Sequence, residues 1–319
     1  MGIYKTKYSS MPDNSYFDRR MVNGDSLTDI FDDTDIFSLA YKEAKDRPVK
    51  VRVGERFNYV ANNYILFDNW FVSGASFDLN DKCSFAYRRY NERGIREGGV
   101  LIRSDGSYVT REEFLDIQFG LVNYHGKYAI VKQSDGLLNI VDVEKGIKID
   151  KTGIKADCLT YADNNFIDSG MFAVAVGNLE GIRDLDWFFT MCGEKIAKEK
   201  QLKCNFYSVD DGLLSPTLWF DYVEPFRVTS VNYIYRMSNH AIVHLNGKKN
   251  FINKRGELLS EVWFDNAIEK NRDNGWIGEA GIIKSESVKD LYDYDDYYNL
   301  NPDKYNIYKI DKYGGIKKT

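Results

Sequence analysis

Residues 250–265, NFINKRGELLSEVWFD, decide the fold of this chain. Residues 205–221, NFYSVDDGLLSPTLWFD, repeat the same phrase: an Asn-Phe strand, a polar turn that ends in Gly, a Leu-Leu-Ser step and a Trp-Phe-Asp corner. The two copies lie about 45 residues apart, a spacing that indicates duplication of one supersecondary unit. The chain is therefore expected to be built from similar units, and its recurring residues are first of all candidates for structural roles.

The glycine turn of this phrase recurs along the chain. A hairpin needs a residue with positive φ after its polar pair, and Gly adopts that conformation without a steric cost. The pattern predicts hairpins at Gly106, Gly146, Gly193, Gly212, Gly256 and Gly314.

A second marker is an alanine within an otherwise bulky apolar strand. A small residue at a fixed place in each strand indicates that a neighbouring element approaches closely there, so these positions are predicted to be core. The marker stands at Ala86, Ala129, Ala173, Ala241 and Ala280.

Together the markers predict an all-β fold of tandem antiparallel β-meander repeats, each of about 40 residues, that form a curved solenoid or an open propeller. A propeller would bring Ile307 close to Tyr59, whereas a solenoid would keep them far apart. Residues 1–50 are predicted to form an N-terminal arm with short helices, and residues 51–319 one β-repeat domain. Repeat copies are placed near 57–90, 99–133, 138–176, 186–196 (partial), 204–245, 249–284 and 305–319 (partial), with an exposed insertion at 288–303.

The segment 247–259, GKKNFINKRGELL, resembles the WG-containing repeat family of bacterial and phage proteins. Trp263-Phe264-Asp265 and Gly278-Glu279-Ala280 match the corner and the alanine strand of that family. The resemblance is clearest over about 200–284, weaker over 57–176 and absent from 1–50. It implies a β-rich interaction scaffold, and the family has no shared catalytic residues to carry over.

The chain departs from the family because Asn stands where the Gly of the Trp-Gly pair would be. Asn is enriched at positive φ, so it can replace Gly at a bulge and add a side-chain hydrogen bond. It can also simply begin a strand, and both interpretations remain open. The positions are Asn58, Asn139, Asn205, Asn250 and Asn306.

The composition argues against a nucleic-acid or membrane protein. The 319 residues are 43% hydrophobic and 29% charged, and the net charge of −5 leaves no basic stripe for phosphate. No apolar run matches a secretion signal or a membrane span, so a cytoplasmic or virion location is expected. The four cysteines lack metal-ligand spacing, and no cofactor or metal is expected.

Histidines and carboxylates offer few candidates for chemistry, and no enzyme activity is predicted. His240 and His244 share one strand face, too far apart for one metal ion and without an evident third ligand, so a surface or edge strand is expected. Asp221 and Asp265 follow the Trp-Phe corners, where the paired acids of a glycoside hydrolase are conceivable. Their recurrence instead favours a turn-capping role.

Aromatic residues are the predicted partner contacts. Trp70, Trp219 and Trp263 each precede a Phe, and either the pair divides between core and surface or both rings are buried between repeats. Four further tyrosines lie in the acidic insertion, at Tyr292, Tyr294, Tyr297 and Tyr298.

The leading hypothesis is a non-enzymatic protein-interaction or structural repeat module, such as a phage virion or phage-encoded component. It would bind a protein partner, form a homo-oligomer or join a larger assembly. The alternative is carbohydrate binding or glycoside hydrolysis by exposed aromatics and carboxylates. A sugar site would need a concave pocket with two or more exposed Trp or Tyr rings beside acids.

Overall fold

The computed structural model describes residues 48–53, 55–61, 64–75, 77, 83–118, 127–162, 169–182, 188, 192–231, 234–269, 276–285, 300–311 and 313–319. Nearly all of its regular structure consists of antiparallel strands, which confirms the predicted all-β class. The predicted arm helices lie outside the described residues. Within those residues, no helix is long and apolar enough to cross a bilayer.

The chain divides into two compact units, an N-terminal unit at Met1–Lys155 and a C-terminal unit at Ala156–Thr319. The described residues of the N-terminal unit form three sheets, in the orders β1-β2-β3, β4-β5-β6 and β7-β8-β9-β10. Their strands are β1 (Val49–Val53), β2 (Arg56–Ala61), β3 (Tyr64–Ile65), β4 (Ser73–Gly74), β5 (Cys83–Tyr90), β6 (Arg96–Arg103), β7 (Asp116–Gln118), β8 (Tyr128–Lys132), β9 (Leu138–Asp142) and β10 (Ile147–Lys148).

The C-terminal unit contains the sheets β11-β12-β13-β14, β15-β18-β19 and β20-β21-β22-β23 and the hairpin β16-β17. Its elements are β11 (Cys158–Tyr161), β12 (Met171–Val176), the helix α1 (Gly193–Glu199), β13 (Lys203–Ser208), β14 (Gly212–Leu213), β15 (Tyr222–Val223), β16 (Val228–Val231), β17 (Ile234–Met237), β18 (His240–Leu245), β19 (Lys248–Asn253), β20 (Asn266–Glu269), β21 (Trp276–Ile283), β22 (Tyr305–Asp311) and β23 (Ile316–Lys318).

One order of strands recurs in these sheets. The strand after an aromatic corner pairs with the alanine strand, the alanine strand with the asparagine strand, and the asparagine strand with the strand after the glycine turn. The sheets β7-β8-β9-β10 and β20-β21-β22-β23 show the order complete, and β11-β12-β13-β14 differs in that Ile154 replaces the aromatic residue before β11. All five marker alanines are at most 1% exposed, which confirms their predicted place in the core.

A hydrogen-bonded sheet joins two successive repeat copies of the sequence. β18 ends the copy at 204–245 and β19 begins the copy at 249–284, yet the two strands pair from His240 with Asn253 to Leu245 with Lys248. β12 and β13 join the copies at 138–176 and 204–245 in the same way. Neighbouring copies are therefore tied by backbone hydrogen bonds as well as by side-chain packing.

Five of the six predicted hairpin glycines have positive φ: Gly106, Gly146, Gly212, Gly256 and Gly314. The sixth, Gly193, is the first residue of α1, so the hairpin predicted there is wrong, and the partial copy at 186–196 is helical from Gly193. Residues 194–199, EKIAKE, are mostly strong helix formers. Ala197 of this helix is buried in the core of the C-terminal unit.

The described end of the predicted insertion is partly core. Leu300 is 3% exposed and clusters with Ile268 and Tyr305. The prediction of an exposed insertion is wrong at Leu300, because this side chain covers the sheet where the chain returns to β22. Pro302 and Asp303 are exposed as expected. Residues 286–299 lie outside the described part.

Contacts between successive sheets recur about every 40 residues along the chain. In the N-terminal unit, Arg103 Nη2 donates to the carbonyl of Val143 at 3.0 Å. In the C-terminal unit, Ser215 Oγ donates to the carbonyl of Gly256 at 3.1 Å. The turn at Gly256 lies directly against the carbonyl group of Leu214, so each glycine turn of this kind is also a packing surface.

Candidate functional site

The recurring asparagine is buried and hydrogen-bonded through both ends of its amide. Its Oδ1 accepts the backbone N–H of the next residue at 2.8 Å in four copies. Its Nδ2 donates at 2.7–2.8 Å to a carbonyl 9 to 11 residues ahead. We call this arrangement the asparagine clamp, because it ties the loop after the following hairpin to the strand that carries the asparagine. The clamps join Asn58 to Phe67, Asn139 to Asp150, Asn205 to Ser215 and Asn250 to Ser260.

The clamp decides between the two interpretations of the asparagines. Among the described non-glycine residues, only Gln201 and Asn246 have positive φ, so the predicted left-handed bulge is wrong. The cause is strand pairing, which holds residues such as Asn250 in extended backbone opposite Val243. The predicted side-chain hydrogen bond is confirmed in four copies. The fifth asparagine, Asn306, is half-buried.

The aspartates that follow the aromatic corners accept backbone hydrogen bonds. Asp221 Oδ2 accepts the N–H of Asn246 at 2.7 Å, in the turn between β18 and β19. Its Oδ1 accepts Lys203 Nζ at 2.6 Å. Asp265 likewise accepts a hydrogen bond from the N–H of Ile283 and forms an ion pair with Lys248. These bonds agree with the predicted capping role and occupy both oxygens of each carboxylate.

The predicted aromatic contacts are less exposed than a binding platform requires. Trp70 is 1% exposed and its neighbour Phe71 is fully buried, so this corner has no ring at the surface. Trp219 and Trp263 are half-buried, while the Phe that follows each of them is in the core. Both predicted arrangements of the pairs therefore occur. Tyr292, Tyr294, Tyr297 and Tyr298 lie outside the described residues.

The histidine pair lies in the core, which makes the predicted surface or edge position wrong. β18 is a central strand, and His240 and His244 are 6% and 4% exposed. His244 Nε2 lies 2.8 Å from Glu224 Oε1, and its Nδ1 lies 3.1 Å from Glu194 Oε1 on α1. Burial of an imidazole is tolerated here because both ring nitrogens have carboxylate partners. The described ranges hold no group of three or more His, Cys, Asp or Glu side chains that could bind a metal ion.

The two glutamates stabilise the charged form of His244. Burial opposes this charge, but the hydrogen bonds that the ring donates to Glu194 and Glu224 outweigh burial and raise the pKa of His244. The hydrogen bond from His244 lowers the pKa of Glu194 to about 2. The burial of Glu224 is outweighed by His244 and Lys249, so its pKa is also lowered. The resulting ion pairs attach α1 to the central strand β18.

This attachment predicts a pH dependence of stability. The raised pKa of His244 contributes stability that is complete below about pH 6.5 and is lost as the pH rises through the folded value. The lowered pKa of Glu194 contributes stability that is complete above about pH 4.5 and is lost as the pH falls towards 2. We expect His244→Gln to lower the unfolding free energy by about 1 to 2 kcal/mol near pH 6, a value reduced for the exposure of Glu194, and less at pH 9.

A second buried acid supplies the control for this experiment. Burial raises the pKa of Glu269 to about 7, although Arg227 Nε lies 3.5 Å away. Its raised pKa makes stability fall between about pH 4.5 and 7. Glu269→Gln should remove the loss of stability between about pH 4.5 and 7. It should keep the loss of stability above about pH 6.5, which His244→Gln should remove instead. Urea unfolding from pH 5 to 9 separates the two, and an unchanged upper fall in His244→Gln would contradict the assignment.

Two adjoining polar clefts lie in the N-terminal unit. They measure about 370 and 310 Å³ and share Glu112 and Lys148, whose side chains form an ion pair of 3.0 Å. Tyr108 is the aromatic residue in their lining. Its half-buried ring packs against Phe67 at 5.5 Å and lies 5.3 Å from the Arg88 guanidinium. The clefts lack the paired aromatics that carbohydrate binding was expected to need.

Among the described residues of the N-terminal unit, the most exposed apolar side chains lie at the end of one long hairpin. β5 and β6 have eight residues each, against five in β8 and β9. Tyr90 and Ile95 flank the connecting turn and are 52% and 58% exposed. Residues 88–97 are named the β5–β6 tip here. The predicted copies end at 90 and resume at 99, so the prediction treats most of this tip as a connection. Asn91 and Gly94 between Tyr90 and Ile95 are nevertheless a sequence signal for a hairpin.

Connections between the alanine strand and the asparagine strand vary most among the sheets. β18 and β19 are joined by a turn at Asn246 and Gly247, whereas β12 and β13 are joined by a stretch that includes α1. The β5–β6 tip likewise follows an alanine strand, although β6 contains no asparagine. Equivalent sheets present this connection at equivalent ends, so insertions there leave the sheets and the clamps unchanged.

Comparison with known proteins gives little beyond the fold itself. No family model and no curated protein matches the chain. A solved structure titled a eukaryotic initiation factor is 8% identical with a TM-score of 0.37, over 86% of this chain and 63% of that one. BamB from Moraxella catarrhalis is 10% identical with a TM-score of 0.26, over 85% and 86%. Kluyveromyces lactis Hsv2 is 8% identical with a TM-score of 0.24, over 66% and 65%.

This chain thus spans less than two thirds of the initiation factor and of Hsv2. At TM-scores this low, none of the three likenesses carries an argument about architecture or activity.

Proposed function

We propose that this chain is a non-enzymatic protein-interaction or structural repeat module. The observation that carries the proposal is the β5–β6 tip, where Tyr90 and Ile95 are more than half exposed on a rigid hairpin. Burial of such exposed apolar side chains against a protein surface is favourable, and the end of a projecting hairpin is accessible to a partner.

The recurring polar residues support the same conclusion. The side chains of four asparagines are hydrogen-bonded in clamps, and those of Asp221 and Asp265 are hydrogen-bonded as caps. Both ring nitrogens of His244 are bound to glutamates. Side chains held in this way are occupied in stabilising the fold, so they are not free to act as a nucleophile or a general base.

The carbohydrate alternative draws no specific support from the described residues, because Trp70 is buried and Tyr108 is the single aromatic residue that lines the two clefts. The kinship with WG-containing repeat proteins and a place in a phage virion extend the proposal and rest on the sequence pattern at 247–259 and its neighbours.

Purification from the native host tests the proposal. We expect the tagged chain to elute from a sizing column in a complex with a second protein at fixed stoichiometry. A glycan array with the same preparation is expected to show no binding. Elution as a free monomer under gentle lysis, together with a glycan hit, would replace the proposed function by the carbohydrate alternative.

A further inference from the structure

We infer that the β5–β6 tip is a docking site for a partner protein whose surface combines an apolar depression with a rim of Asp and Glu side chains. This inference rests on the proposed interaction function and adds to it the place of contact and the chemistry of the partner. Four features of the tip support it: the tip projects beyond the core, its turn is held by hydrogen bonds, its base is held by ion pairs, and it carries exposed arginines.

The tip projects beyond the core of its sheet. The register pairs β5 with β6 from Cys83 with Arg103 to Tyr90 with Arg96. Burial ends part-way along this ladder: Tyr87 is 2% exposed, whereas Arg89, Tyr90 and Arg96 are exposed. The last pairs of the hairpin therefore add nothing to the core, and strand pairs beyond a core are available to a partner.

Hydrogen bonds make the turn of the tip rigid before any partner binds. Asn91 Oδ1 accepts the N–H groups of Arg93 and Ile95, each at 2.9 Å. Asn91 Nδ2 donates to Glu97 Oε1 at 3.1 Å, and Gly94 takes the positive φ that the turn requires. A loop that is already ordered loses little entropy on binding, which favours affinity.

The base of the tip is braced from the connection between β6 and β7. Glu113 accepts Arg88 Nη1 at 2.6 Å and Arg89 Nη1 at 3.0 Å. Burial of Glu113 is outweighed by these two guanidinium groups, so its pKa is lowered. The single charge of Glu113 offsets one of these two arginine charges at the base of the tip, while Arg93 and Arg96 stay exposed beside Ile95.

The charge of the tip determines the kind of partner. Residues 88–97 hold four arginines and two glutamates in a chain whose net charge is −5. Tyrosine and arginine are the side chains that contribute most at the centres of protein interfaces, and the exposed arginines favour an acidic rim opposite them. Nucleic acid fits less well, because its uniform negative charge would meet Glu92 and Glu97 without using the apolar surface of Ile95.

Site-specific photo-crosslinking in the native host tests this contact. A benzophenone amino acid replaces Ile95 in one strain and Tyr313 in another. Tyr313 is the control, because it is 83% exposed in a turn of the C-terminal unit. We expect a protein crosslink from position 95 and none from 313, and the partner peptide joined to position 95 is expected to lie beside acidic residues.

Affinity measurements with the purified partner complete the test. Ile95→Asp and Arg93→Glu are each expected to weaken binding at least about tenfold, with Arg93→Glu also reducing the dependence on salt. Arg111→Glu is the matched control, since Arg111 is an exposed arginine outside the tip and makes the same change of charge. All three side chains are exposed, so thermal unfolding should stay unchanged.

The outcomes separate the inference from the proposed function. A protein crosslink from Tyr313 alone, or partner binding that Ile95→Asp leaves intact, overturns the docking site and keeps the interaction function. A crosslink from position 95 to nucleic acid or to a second copy of this chain overturns the stated partner. No crosslink from either position and no co-purifying protein overturns both.

Discussion

Replacement of Asn250 by Asp is expected to destabilise the chain by about 3 to 5 kcal/mol at pH 7, although the two side chains have nearly the same shape. Asn250 is fully buried, and its Nδ2 donates to the carbonyl of Ser260 at 2.8 Å. A carboxylate there would place an oxygen against that carbonyl oxygen and bury a charge without a partner. Urea unfolding monitored by circular dichroism measures the loss.

The loss of stability caused by Asn250→Asp should be smaller at low pH. A buried carboxyl without a cationic partner has a raised pKa, and its protonated form can donate to Ser260 as the amide does. Stability of the variant should therefore fall as the pH rises from about 3.9, the pKa of an unfolded Asp, towards that raised pKa. Asn205→Asp should behave alike, because Asn205 Nδ2 donates to Ser215 in the equivalent clamp.

Asn306→Asp is the matched control for the clamp. Asn306 belongs to the same sequence series, but its side chain is half-buried, and its substitution should cost less than about 1 kcal/mol. Equal losses at Asn250 and Asn306 would show that a general property of these strands, and not the clamp, is responsible. A stable Asn250→Asp at neutral pH would remove the clamp as a source of stability.

The second large effect is expected at the hairpin glycines. Gly256 and Gly212 have nearly the same backbone, with φ of 81° and 77°. A Cβ on Gly256 would overlap the carbonyl group of Leu214, whereas a Cβ on Gly212 meets no described atom within 4 Å. Gly212→Ala should cost about 1 to 2 kcal/mol, the cost of left-handed backbone for an L-residue.

Gly256→Ala should cost roughly 3 to 5 kcal/mol, because displacement of a packed carbonyl adds to that backbone cost. The difference between the two variants measures the contact between successive sheets, since the backbone cost cancels. Denaturant unfolding of both proteins provides the numbers. Equal losses would mean that the turn at Gly256 can move away from Leu214 without cost.

Much of the fold could be predicted because its determinants are local. Five glycine turns, the alanine strands and the antiparallel pairing follow from residues within a few positions of one another. Gly193 alone does not distinguish a helix from a hairpin. The helix at Gly193–Glu199 forms because the strong helix formers after this glycine outweigh its turn preference. Burial at Leu300 depends on Ile268, more than thirty residues away, which no local pattern reports.

The candidate site could be predicted only in part, for the same reason. The side-chain hydrogen bond of the asparagines follows from residue type, but its acceptor, such as Ser260 for Asn250, is set by the path of the loop. His244 was placed at a surface because its two glutamates come from α1 and from the end of β15, distant in sequence. The tip was missed because exposure beyond the core depends on where the sheet ends.

The sequence by itself determined the repeat, the strand class and the turns, since these depend on backbone preferences and side-chain alternation over a few residues. Only the tertiary structure decided which polar groups are hydrogen-bonded within the fold and which side chains face solvent. Asn250 and His244 are polar residues of the kind that can carry chemistry, yet both are bound within the core. Ile95 is an ordinary apolar residue, yet it lies exposed at the end of a hairpin. Burial and hydrogen-bond partners depend on segments far apart in the chain, so they become definite only when those segments pack together.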